Sequence, residues 1–219
     1  RYLVSLQYLE YRKLWGGTFC SQSSAWALIV ARGWLVYDLS DSSLWVGLVT
    51  FAAMVPRVMV TPFSGYLADR FDRQKLLRWI FALNMGNNIL LALLVMTGLV
   101  GPWVLTLLAL VNGTLRASQM TTATALIPNL VPKEHLLNAV VLYSLVFGAS
   151  AVVGPAYFTP LVKLWGLEGL FFFVGASYAL TVAMLMMMKP MPRKPVAVKT
   201  RLWQDLAAGL SYISGHRVV

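Results

Sequence analysis

Apolar residues run along this chain in blocks longer than a soluble domain uses. Stretches 14–31, 79–115, 136–162 and 169–188 contain no Asp, Glu, Lys or Arg over 18, 37, 27 and 20 residues. Two further stretches, 43–68 and 103–127, are each interrupted by a single arginine, Arg57 and Arg116. A helix rises about 1.5 Å per residue, so about 20 mostly apolar residues cross a bilayer core. The 37-residue block is too long for one crossing and breaks around Gly98 and the Gly101-Pro102 pair. The pattern predicts an all-α, polytopic membrane bundle of six transmembrane helices, at 14–37, 44–67, 77–98, 102–127, 136–160 and 169–188. A β-barrel is not expected, because its strands alternate apolar and polar residues over short segments and these blocks are continuous.

Composition agrees with that picture. Of 219 residues, 58% are hydrophobic and 12% charged, whereas a soluble domain carries about 25% charged residues. The net charge of +10 raises nucleic acid as a partner, and the placement of the charges argues against it. Fourteen of the 18 Lys and Arg fall on one side of the predicted topology: both chain ends and the connections 69–78 and 128–135. The other side has the short connections 38–42, 98–102 and 163–168, with Lys163 as its only base. Lys/Arg excess marks the cytoplasmic face, so both ends are expected inside. The lipid bilayer is the expected partner of the apolar surface, and nucleic acid is not. Trp15, Trp34, Trp45, Trp79, Trp103 and Trp165 all fall near predicted helix ends, where amphipathic rings settle at the membrane interface.

The bundle is expected to occupy 1–188. Beyond it, 189–200 is rich in proline and lysine, and Leu202, Trp203, Leu206, Leu210 and Ile213 then recur at helical spacing. Residues 189–219 read as a cytoplasmic linker and the start of an amphipathic helix leading to a second half outside this chain.

Three arginines lie inside predicted spans, each costing roughly 2.5–3.5 kcal/mol at a bilayer centre. Such a charge turns away from lipid. Ser21 and Arg32 share a face of the first helix, and Thr50, Arg57, Thr61 and Ser64 share one on the second. Asn84, Asn87 and Asn88 cluster in the third, Asn112, Arg116 and Gln119 line the fourth, and Tyr143, Ser150 and Tyr157 repeat every seven residues in the fifth. Polar stripes on several apolar helices describe a bundle around a wet cavity. Its candidate residues are Arg32, Arg57, Asn84, Asn88, Asn112, Arg116 and Gln119. Two positions carry alternatives: Arg32 either snorkels toward the near membrane surface or joins the cavity, and Arg116 either pairs with loop acids or joins the cavity. Arg57, deep in the second helix after Pro56, has no easy route to a surface. No Asp or Glu lies well inside any span. One cysteine, Cys20, and the widely separated His135 and His216 provide no cysteine-cluster or zinc site, so neither a metal nor a cofactor is expected.

Between the second and third helices stands Gly65-Tyr66-Leu67-Ala68-Asp69-Arg70-Phe71-Asp72-Arg73-Gln74-Lys75-Leu76-Leu77. This resembles the loop motif of the major facilitator superfamily, G-x-L-a-D-r-x-G-r-k-x-x-l. Gly65, Leu67, Ala68, Asp69, Arg70, Arg73 and Leu77 match it, Asp72 replaces the second glycine, and Gln74 replaces a base. The Ala-Asp-Arg-Phe-Asp-Arg form is similar to the branch of bacterial enterobactin and multidrug exporters. In the fifth helix Ser150, Gly154 and Pro155 resemble part of that superfamily's antiporter motif, with Ser150 in the place of its first glycine. The resemblance implies half of a secondary transporter, a second six-helix half as partner, and a small-molecule substrate. It also implies a conformational latch at Gly65, Leu67, Asp69, Arg70, Asp72 and Arg73. Independently of it, Asp72 is a plausible N-cap for the third helix and Gly65 a site of close helix approach. The expected function is export of small amphipathic or anionic molecules, siderophore- or drug-like, across the bacterial inner membrane, with proton coupling as one option. The alternative is a non-transporting scaffold or a membrane-embedded enzyme. No nucleophile has a base placed to serve it, so catalysis is not expected.

Overall fold

A computed structural model describes residues 3–190, and the expected linker and amphipathic helix lie outside them apart from Lys189 and Pro190. Six helices make up the bundle: α1 Leu9–Ser40, α2 Ser43–Arg70, α3 Arg73–Met96, α4 Pro102–Leu126, α5 Leu136–Ala156 and α6 Phe158–Met186. The protein is an all-α membrane bundle, as its apolar blocks predict. By length and composition, α2, α3, the segment Lys133–Ala156 and α6 are each long and apolar enough to cross a membrane. The other two, α1 and α4, are long enough but more polar. The reason is their position. α1 packs against α2, α4, α5 and α6 and buries Thr18, Ser21, Gln22, Ser23, Ser24 and Arg32 inside the bundle, where lipid does not meet them.

Two irregular points mark the path from the fifth helix to the sixth. After Pro155, which removes a backbone hydrogen bond, the helical path kinks at Tyr157 (φ −95°, ψ 0°) and resumes at Phe158. The stretch Phe158–Met186 is itself two helices, because the backbone leaves helical geometry at Gly166 (φ +70°, ψ −175°), inside the expected connection 163–168.

Two close approaches set the packing. A Cβ at Gly154 would lie 2.3 Å from the Ser23 carbonyl oxygen and 2.6 Å from Trp26 Cβ, so α5 meets α1 backbone to backbone. Beside it, Ser23 Oγ donates to Ser150 Oγ at 3.2 Å. Likewise a Cβ at Gly113 would lie 2.3 Å from the Ala53 carbonyl oxygen, which seats α4 directly on α2. Small residues permit such contacts between membrane helices. Gly65, expected to play this part, does not: its nearest neighbour would be Thr121 Cγ2 at 4.0 Å, an ordinary contact.

Candidate functional site

The end of the bundle that carries the basic loop is tied together by hydrogen bonds to helix ends. Asp72 caps α3, its carboxylate accepting from the backbone N–H of Gln74 at 3.0 Å and Lys75 at 3.1 Å. Arg73 donates to the Ala68 carbonyl at the end of α2, to the Ala125 carbonyl at the end of α4 and to Asp69 Oδ1, at 3.1, 2.7 and 3.0 Å. The guanidinium of Arg70 lies 4.5 Å from the Tyr66 ring centroid. Around the end of α6, Arg78 Nε donates to the Leu185 carbonyl, Gln74 Nε2 to the Met188 carbonyl and Lys13 Nζ to the Met187 carbonyl. The last carbonyls of a helix lack partners of their own. Arg73, Arg78 and Lys13 supply them. Gln74, where the motif has a base, bonds a helix end without a charge.

Deeper in the bundle, α1, α2, α4 and α5 enclose a cavity of about 450 Å³. Its walls are mostly apolar, including Trp26, Ile29, Met54, Met120 and Phe147, and Arg32, Arg57 and Arg116 all line it. None of the described Asp or Glu residues lines this cavity. Arg32 is only 3% exposed, which removes the snorkelling alternative, and its Nη1 donates to Asn112 Oδ1 at 3.3 Å. Asn112 in turn donates to Asn84 Oδ1 at 2.8 Å, and Asn88 donates to the Asn84 backbone carbonyl at 2.8 Å. One polar chain therefore runs from α1 through α4 to α3. Arg116 Nη2 donates to Gln22 Oε1 at 2.9 Å and not to a loop acid. Arg57 faces the open side of the cavity, with Met120 Sδ as its contact at 3.9 Å.

The sequence-derived candidates thus divide. Arg32, Arg57, Asn112 and Arg116 share the cavity wall, whereas Asn84 and Asn88 stand behind Arg32 as buried supports. Gln119 is buried without lining the cavity, and its amide has no partner among the described residues. Ser150 and Gly154 shape the α5–α1 contact, Pro155 stands next to Gly154 near the end of α5, and none of the three lines the cavity. Gln22 and Trp26 line it and were not singled out from sequence. A signal for them existed: Gln22, Trp26, Ile29 and Gly33 follow each other at spacings of four, three and four, one stripe of a helix. His135 is engaged elsewhere, its Nδ1 2.8 Å from the Tyr8 hydroxyl.

The profile of the family described as transmembrane secretion effector matches residues 3–219. The chain belongs to the major facilitator superfamily. Among curated proteins it is similar to an uncharacterised major-facilitator-type transporter, YfiS of Bacillus subtilis (strain 168), with 24% identity over 177 residues. That match covers 81% of this chain and 40% of the relative. It is also similar to the staphyloferrin A transporter of Staphylococcus aureus (strain NCTC 8325 / PS 47), 25% identical over 132 residues, 60% of this chain and 33% of that protein. The chain spans less than half the length of the curated relatives it matches. Family membership makes this an integral membrane bundle, the setting in which an interior cavity and a basic loop at one end acquire meaning.

Proposed function

We propose that this bundle forms one half of a secondary transporter that exports small amphipathic or anionic molecules, siderophore- or drug-like, across the bacterial inner membrane. The observation that carries the reading is the cavity itself: three arginines and no described carboxylate on a largely apolar wall. In a low-dielectric site a cation attracts an anion far more strongly than in water. The apolar wall accepts the rest of an amphipathic molecule. A named substrate among the relatives, staphyloferrin A, supports a small-molecule cargo.

Transport proceeds by rocking this half against a second six-helix half around a site near the membrane midplane. The loop from Gly65 to Arg73 serves as the latch that holds the halves in one state, with both chain ends on the cytoplasmic side. Any proton-binding carboxylate comes from the second half, since the described part of this one has none in the cavity.

Arg57 provides the test. It stands eight residues before Gly65, about 12 Å along the helix at 1.5 Å per residue. Arg57→Ala, reconstituted in proteoliposomes and normalised to folded protein, is expected to cut transport of an anionic substrate about tenfold while a neutral one keeps its rate. Equal losses for both substrates would make Arg57 a structural residue and remove the anionic reading.

A further inference from the structure

Arg32 is the most constrained of the cavity arginines. It is 3% exposed, and among the described residues only Nη1 has a partner, the side-chain Oδ1 of Asn112. Nε and Nη2 are both buried and both without one. These two are not arbitrary atoms of the guanidinium. Nε–H and one Nη2–H point in parallel along a single edge of the plane, at the spacing of two carboxylate oxygens. Asn112 is itself held by Asn84, so the orientation of that edge is set by a side-chain chain from α4 to α3. The Tyr178 hydroxyl, also buried and unpartnered among the described residues, lies within electrostatic range of both Arg32 and Arg116.

A buried charged donor left without an acceptor is costly, typically more than the 1–3 kcal/mol range of a neutral group. A binding protein tolerates that cost where a ligand supplies the acceptor. Arg116 differs, because Gln22 already occupies part of its fork. Arg57 differs again, being exposed on the open side with only a sulfur beside it.

Resting on the reading of the cavity as an anion site, we propose that the Nε/Nη2 edge of Arg32 is a bidentate seat for one carboxylate of the transported molecule. Arg57 then supplies long-range attraction without geometric selection. The ligand class is an amphipathic carboxylate: the carboxylate on Arg32, and the apolar body against Trp26, Ile29 and Phe147. In this conformation the two donors are covered, so seating the carboxylate requires the adjoining wall to shift. Binding that needs such a shift is binding that biases one conformation over another.

The test compares three probes of similar shape on the intact protein in detergent: benzoate, benzenesulfonate with the same charge but three oxygens, and uncharged benzamide. Each competes against radiolabelled benzoate. Wild type is expected to prefer benzoate over benzenesulfonate about tenfold and to bind benzamide weakest. Arg32→Lys keeps the charge and loses the parallel pair, so benzoate and benzenesulfonate should become equal. Arg57→Gln should weaken both anions alike and preserve the preference for carboxylate. A benzoate preference that survives Arg32→Lys overturns the seat but leaves the anion site standing, since both anions still exceed benzamide. Benzamide binding wild type as tightly as benzoate overturns the anion site, and the seat with it. If Arg32→Lys does not fold, Asn112→Ala, which frees the guanidinium to turn, must reduce the carboxylate preference. An unchanged preference there overturns the seat equally.

Discussion

Arg73 and Arg32 carry the same side chain in two regions of one bundle and lead opposite chemical lives. At the basic-loop end, Arg73 uses Nε, Nη1 and Nη2 on two helix-terminal carbonyls and a carboxylate. In the cavity wall, Arg32 uses one nitrogen and leaves two buried. The first arginine is saturated by its own chain, so its contribution is to structure. The second keeps two buried donors with no partner among the described residues, and these are the donors the proposed carboxylate would take up. Charge alone does not separate them; the count of free donors in a buried setting does.

The largest stability effect is expected at the saturated end. Arg73→Met leaves the Ala68 and Ala125 carbonyls and Asp69 without their donor, and hydrogen bonds from a charged group contribute about 1.5–3 kcal/mol. Denaturant unfolding in detergent should register a loss of about 2–3 kcal/mol, with anion binding unchanged. A loss of binding as large as the loss of stability would erase the distinction between the two regions.

Arg32→Met should act with the opposite balance. Replacing a buried, incompletely paired charge by an apolar side chain of similar length is often neutral or stabilising, by roughly 1 kcal/mol or more. The midpoint of thermal unfolding should stay level or rise, while binding of benzoate falls at least tenfold. Strong destabilisation by Arg32→Met would mean that Arg32, like Arg73, is a structural tie.

The smallest stability effect belongs to Asp69→Asn. The Asp69 side chain is 51% exposed in its pair with Arg73, and solvent-screened pairs of this kind contribute well under about 1 kcal/mol. Unfolding should change by a few tenths of a kcal/mol at most, whereas transport by the intact protein falls severalfold if the loop is the latch. Wild-type transport by Asp69→Asn would leave the loop with only its capping role.

Most of the architecture was legible along the chain. Six apolar blocks, the breaks at Gly98–Pro102, the N-cap at Asp72 and the loop motif are local features, read from neighbours in sequence. The connection 163–168 contains the Gly166 break that separates the last two helices, while the kink at Tyr157 lies inside a block with no charge to mark it. Within the site, single-helix periodicity found Arg32, Arg57, Asn112 and Arg116, since each polar stripe faces one way. It grouped Asn84, Asn88 and Gln119 with them, because a stripe records that a face is polar without recording what it faces.

Sequence by itself determined that this protein is a membrane bundle of six helices belonging to a transporter superfamily, since a bilayer demands long apolar segments and the motif lies within one loop. Only the tertiary structure decided which arginines are satisfied. Arg73 meets Ala125 across 52 positions and Arg32 meets Asn112 across 80, contacts set by how α3 and α1 pack against α4. It likewise moved the tight α2–α4 approach from Gly65 to Gly113. Hydrogen bonding acts over about 3 Å in space whatever the separation along the chain, so a donor's freedom is a property of the packed bundle.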